Sequence, residues 1–307
     1  MLRLSVPTGE RLSNASSLDV EIGGAEGNVS IALARLGRSV SWLGRLPDHA
    51  LGEHVVRALR ADGVDVSGVR RAANARAGLY FIEYASLPRS IDVIYDRADS
   101  AAAEMQPSDV AWDVLLDSQI LHMTGITPAL SPSCLEITSE SISRARAAGV
   151  TVSFDVNFRS KLWEHRAAAK ALRPFLEQAD VLFCKSADAA LLFECSGSPE
   201  QQLRSLAALS GAKTVFLTCG ESGASVLHDG KAISHPAIPS VIIDRIGSGD
   251  AFAAGALDGL LDGDPNAGLQ RGIALAAIAL SQRGDRVLTS RQELDAVMRR
   301  ASTDISR

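Results

Sequence analysis

The run Val241-Ile-Ile-Asp244-Arg-Ile-Gly247-Ser248-Gly249-Asp250-Ala-Phe-Ala-Ala-Gly255 holds the residues best suited to chemistry. An apolar stretch ends in an acid, passes a glycine-rich turn and enters an Ala-rich helix. The first turn of a helix exposes unpaired N–H groups and a partial positive charge, which suits an anion. Glycines at 247 and 249 let that anion come close to the backbone. A carboxylate in the same turn, Asp250, is placed to take a proton from an attacking oxygen. Positioning, charge stabilisation and a base at the nucleophile are what phosphoryl transfer requires. The competing reading is that Ser248 and Asp250 only cap a helix.

The elements that must position this turn are legible in the surrounding pattern. From about residue 110, short apolar runs at 118–123, 150–154, 181–183 and 214–218 read as strands buried on both faces. Helical stretches at 132–148, 164–178, 187–194 and 200–209 fall between them, so right-handed βαβ units are expected. Helices at 249–261, 267–282 and 291–300 close the chain. Earlier, 27–36 and 52–61 read as helices, with a strand at 40–43. Residues 77–95 alternate in polarity, with Pro88 as a turn, and predict a hairpin with one face partly exposed. Such a flap on a parallel α/β body suits a lid that excludes water.

Bulk properties narrow the partners. The chain has 307 residues, 46% hydrophobic and 22% charged, and a net charge of −5. That balance fits an ordinary globular protein and disfavours a nucleic-acid backbone or an anionic membrane as partner. Cys134, Cys184, Cys195 and Cys219 show no metal or redox spacing and read as small core residues in a reducing compartment. No apolar run approaches ~18 residues and no signal peptide is evident, so the cytoplasm is expected.

The run ending in Asp250 resembles the C-terminal signature of the ribokinase/PfkB carbohydrate kinases. Gly23-Gly24-Ala25-Glu26-Gly27-Asn28, followed by Leu43-Gly44-Arg45-Leu-Pro-Asp48, resembles the N-terminal signature. The likeness spans nearly the whole chain. It implies one ribokinase-like α/β domain over 1–307: a three-layer sandwich with a mostly parallel central sheet and a small β lid from about 8–22 and 75–98. It also implies ATP and Mg2+. Gly23 and Gly24 would allow close sugar contact, and Asn28 would serve sugar hydroxyls, although a Gly-Gly pair before a helix is otherwise only a turn.

Four stretches resemble 2-keto-3-deoxygluconate kinases within that family: Gly78-Leu-Tyr80-Phe, Tyr95-Asp-Arg97-Ala-Asp-Ser100-Ala, His122-Met-Thr-Gly125-Ile-Thr and Phe154-Asp155-Val-Asn157-Phe-Arg159. The resemblance places Tyr80, Tyr95, Arg97 and Arg159 at a sugar acid, and arginines suit a carboxylate. Structural ion pairs are the other reading of both arginines. A kinase of a neutral sugar, fructokinase-like, and a non-catalytic sugar-acid-binding homologue are the alternative functions. On the nucleotide side, Thr218-Cys-Gly220-Glu-Ser-Gly223 resembles the family's turn beside the ATP phosphates, although a plain β-turn would look the same. Gly284-Asp285 and the 273–282 helix are expected to border the adenine.

Three departures from the family accompany these matches. Lys185 stands where an asparagine is usual, leaving Asp188, with Asp244, to place magnesium and Lys185 either to meet a phosphate or simply to be solvated. Arg245 and Ser248 replace Thr and Ala. An apolar strand usual before the stretch Leu2-Arg-Leu-Ser is not in the sequence; either a neighbouring strand edge is left uncovered or translation begins upstream, the reading preferred here. A lid sheet commonly pairs with a second copy, so a homo-oligomer is expected.

Overall fold

The computed structural model describes residues 1–84 and 89–305; the expected turn at Pro88 lies outside the described residues. In chain order the strands are β1 (Leu2–Ser5), β2 (Asp19–Ile22), β3 (Gly44–Pro47), β4 (Val69–Ala72), β5 (Leu79–Glu83), β6 (Asp92–Asp96), β7 (Ile120–Thr124), β8 (Thr151–Asp155), β9 (Val181–Lys185), β10 (Thr214–Thr218), β11 (Ala224–His228) and β12 (Lys231–His235). The helices are α1 (Ala25–Arg35), α2 (Ala50–Ala61), α3 (Trp112–Leu116), α4 (Pro132–Ala147), α5 (His165–Leu176), α6 (Ser186–Phe193), α7 (Pro199–Ser210), α8 (Ser248–Leu261), α9 (Pro265–Leu280) and α10 (Arg291–Ile305).

The main sheet has six strands in the order β12-β11-β10-β9-β8-β7. Strands β7 to β10 are parallel, and β10, β11 and β12 pair antiparallel. Alternate residues of β9 divide between two apolar clusters. Leu182 and Cys184 pack with Leu172, Leu176, Leu203 and Leu206 of α5 and α7. Val181 and Phe183 pack with Val29, Phe252, Leu269 and Ile278 of α1, α8 and α9. Helices therefore cover both faces, which is why these strands read as continuous apolar runs. The three-layer α/β arrangement is the one expected.

A second sheet of four strands runs β2-β1-β5-β6. Leu2–Ser5 belongs to it, paired antiparallel with β2 and parallel with β5. The expected span beginning near residue 8 left that strand out. The expected strand at 40–43 forms instead at β3, four residues on, where it pairs with β4. Residue 41 makes only an isolated bridge to Asp65. Among the described residues no strand pairs with the outer edge of β7, which faces the same cavity as the residues at the start of β3.

Sequence inspection missed the hairpin β11–β12, although its signal was present. Asp229 and Gly230, both at positive φ (45° and 79°), make the two-residue turn. An Asp-Gly pair flanked by β-rich runs is a strong short-range hairpin mark.

Candidate active site

Gly247 ends the run from Val241 at φ 83° and caps α8. A side chain there would collide with the carbonyl oxygen of Asp285, so both backbone freedom and close approach require glycine. The first closed turn of α8 is Ala251 N–H to Gly247 O. The N–H groups of Ser248, Gly249 and Asp250 precede it, so the amides free for an anion are shifted one residue on from the expected 247–249. A Cβ at 249 would meet nothing within 4 Å, which leaves open space in front of that turn.

Asp250, in the first turn of α8, is 6% exposed. It does not cap the helix; its Oδ2 accepts from Asn28 Nδ2 at 2.7 Å. Burial pushes its carboxyl up to about 6, opposed by the Asn28 hydrogen bond and by Arg159. Asn28, expected to serve sugar hydroxyls, is instead bonded to this acid. Nearby, Asp155 at the end of β8 is pushed up to about 7 by burial and by the charge of Asp250. Asp155 was given no role, although it stands in the Phe154-Asp155-Val-Asn157-Phe-Arg159 stretch, because its burial beside Asp250 is set by the fold and not by that motif.

The small sheet meets this turn through residues far apart in sequence. Arg3 is fully buried and spans two carboxylates, bonding Asp244 at 2.5 Å and also Asp285. Asp285 accepts from the Tyr80 hydroxyl at 2.5 Å, and Asp244 accepts from Tyr84 at 2.6 Å. Asp244 also receives the N–H groups of Ile246 (3.0 Å) and Gly284 (3.3 Å). Its oxygens are thus committed inside the protein, which corrects its expected placement toward magnesium. Asp285 sits among Gly247, Gly23 and Tyr80, on the side of the small sheet, rather than beside an adenine.

The other expected residues divide in the same way. A side chain at Gly23 would strike the Tyr80 hydroxyl and approach Asp285 to 2.6 Å, so Gly23 makes room for that bond rather than for a sugar. Gly24, at φ 139° and with open space before it, lines the cavity. Tyr80 stacks on Tyr95 with ring centroids 5.9 Å apart, and the Arg97 guanidinium lies 4.1 Å above the Tyr95 ring. Arg97 is 9% exposed and, among the described residues, has no carboxylate partner and leaves Nη2 without a hydrogen bond. Burial lowers its affinity for its proton. Arg159 is exposed on the wall of the same cavity, and its charge acts on Asp250, Asp155 and Asp188.

Farther along the wall stand Lys185, Asp188, Thr218 and Gly220. Burial raises the Asp188 carboxyl, against the pull of Lys185 and Arg159. Gly220 is exposed with open space before it. Gly223 differs: it is buried at φ 99°, and a side chain would strike the His235 carbonyl, so its role is to let β11 turn against β12. Among the described residues no group of three or more His, Cys, Asp or Glu side chains is assembled for a metal. One carboxylate, Asp188, with bound phosphates is still a donor set that magnesium accepts.

The cavity uniting these residues measures about 2100 Å³. It could take a small polyhydroxy acid at the Arg97 end and a nucleotide toward Lys185 and Gly220. Residues 2–291 match the family model described as pfkB family carbohydrate kinase. The chain belongs to that family. The kinase is 39% identical to the 2-dehydro-3-deoxygalactonokinase of Haloferax volcanii over 308 residues, covering 100% of this chain and 96% of the relative. It is 30% identical to the 2-dehydro-3-deoxygluconokinase of Bacillus subtilis, covering 89% and 85%. Its fold superimposes on the crystal structure of 2-dehydro-3-deoxygluconokinase from Thermotoga maritima with a TM-score of 0.93 at 32% identity, covering 97% and 95%. The ribokinase-like fold and the sugar-kinase activity expected from the motifs therefore hold. No helix of the described residues is long and apolar enough to cross a membrane.

Proposed function

We propose that this kinase transfers the γ-phosphoryl group of ATP to the 6-hydroxyl of 2-dehydro-3-deoxy-D-gluconate. The observation that carries this reading is Arg97, a buried guanidinium with no carboxylate partner among the described residues and one nitrogen left without a hydrogen bond, on the wall of the cavity that holds Asp250. A desolvated cation with no anion partner is costly, and the carboxylate of a sugar acid would complete it with a charge-assisted bond. Arg159 and Tyr95 border the same space, and Gly24 leaves the backbone open to the sugar.

Asp250 takes the proton of the attacking hydroxyl as the new P–O bond forms and the bond to ADP breaks. The N–H groups of Ser248, Gly249 and Asp250 face the transferring charge. Lys185, Thr218 and Gly220 meet the nucleotide phosphates. Asp188 is the residue that would hold magnesium, which when bound with the nucleotide would neutralise phosphate charge. The small sheet closes over the sugar as a lid.

A second reading, the galactonate epimer, is favoured by the Haloferax volcanii relative at 39% identity. The deciding experiment is ADP release with both 2-dehydro-3-deoxy acids and a panel of neutral hexoses. Strong preference for either acid is expected, and turnover confined to neutral hexoses refutes the reading. Asp250→Asn should lower kcat by about 10²–10⁴, the usual contribution of a general base, with folding intact by circular dichroism.

A further inference from the structure

We propose that Asn28 is the positioning residue of the base: its amide N–H fixes one oxygen of Asp250 and keeps that carboxylate ionised and aimed at the substrate hydroxyl. The inference rests on Asp250 being the base.

Asn28 and Asp250 are 4% and 6% exposed, and the 2.7 Å bond between Nδ2 and Oδ2 joins α1 to α8. Among the described residues no other donor is recorded to the Asp250 carboxylate, so Oδ1 is left toward the cavity. An ionised carboxylate only accepts, so the amide must present its NH2 and not its oxygen. Asn28 is itself held by the helix, where its N–H donates to Gly24 O at 2.8 Å. One oxygen anchored and one free is the arrangement a base needs, since it limits rotation of the carboxylate without occupying the lone pair that receives the proton.

The electrostatic setting makes that bond consequential. Asp285 from the segment after α9 and Glu26 from α1 oppose ionisation of Asp250, and Asp250 in turn raises the Asp155 carboxyl at the end of β8. Arg159, from the loop after β8, joins Asn28 in favouring the anion. A hydrogen bond to the charged form favours it. Removing that bond raises the base's pKa, so the acid limb of the rate profile moves to higher pH.

The test is the single-turnover rate against pH for the wild type, Asn28→Leu and Asn28→Ala, with the sugar-acid KM measured at each pH. Leu keeps the volume and removes the donor; Ala serves if Leu does not fold, as judged by thermal unfolding. The acid limb should move up by about one pH unit, a tenfold loss of rate on the acid side. The rate above the limb should fall too, by about 3–10-fold, because the ionised carboxylate is no longer held in one orientation, while KM should change little. An unmoved limb with KM raised about tenfold makes Asn28 a sugar ligand and overturns the inference. Near-normal turnover by Asp250→Asn defeats the assignment of the base itself, a distinct failure.

Discussion

Arg3 and Arg97 are both withdrawn from water, yet they meet opposite surroundings. Arg3 lies between Asp244 and Asp285, with Glu21 3.5 Å away, in a cluster closed further by Tyr80 and Tyr84. Arg97 has the Tyr95 ring beneath it and no carboxylate partner among the described residues, and the like charge of Arg159 acts on it. A buried charge with its partners in place holds the protein together; one without them is destabilising until a ligand supplies the counter-ion. The cavity lies beside Arg97, which is where the difference assigns binding.

The largest effect that would break this comparison is on Arg3. Arg3→Met should cost about 3–5 kcal/mol, as breaking a buried pair does, read from urea unfolding. Arg97→Met should cost nothing or stabilise by the same measurement. Equal losses would erase the distinction. Turnover should invert the order: Arg97→Met should reduce kcat/KM for the sugar acid about 10–100-fold, the worth of a hydrogen bond to a charged group, and far less for any neutral sugar. Adding Asp244→Asn to Arg3→Met should then return part of the lost stability, because it removes one uncompensated carboxylate. Tyr84→Phe should cost only about 1 kcal/mol.

The same contrast sharpens among the acids. Asp155 has no ion pair among the described residues and is pushed up to about 7 by burial and then by Asp250. Folded protein therefore keeps a proton that unfolded chain has lost above about pH 4, so this group makes stability fall as pH rises from about 4 to 7. His122 works the other way. Burial lowers it to about 4, the unfolded chain binds the extra proton, and stability rises with pH up to about 6.5. Asp155→Asn should reduce the fall, leaving the part due to Asp250 between about pH 4 and 6, and His122→Gln should remove its rise, in unfolding free energy measured across that range.

The turn at 247–250 was legible because its information is local: an apolar run, a glycine that a side chain could not replace, and a helix start. The expected helices fall within a few residues of α1, α2 and α4 to α9 for the same reason. Arg3 was not legible. In Leu2-Arg-Leu-Ser it alternates with apolar residues and reads as the solvent side of a strand. Only the fold brings residues 3, 80, 84, 244 and 285 to one point. Arg97 was singled out as a ligand residue by its motif, but its lack of a partner is a property of the space around it. Asn28 shows the limit of motif reading: its place was identified, and its bonded neighbour 222 positions away was not.

The bonds from Arg3 to Asp244 and Asp285 span 241 and 282 residues of chain. During synthesis at ~5–20 residues per second, the first strand would wait roughly 15–55 s for its last carboxylate to be made. Until then Arg3 lacks one of its two buried carboxylate partners, and the small sheet cannot lock fully onto the rest. Assembly of the sugar end is therefore among the latest events of folding, and a nascent chain stalled before residue 285 should not retain sugar acid.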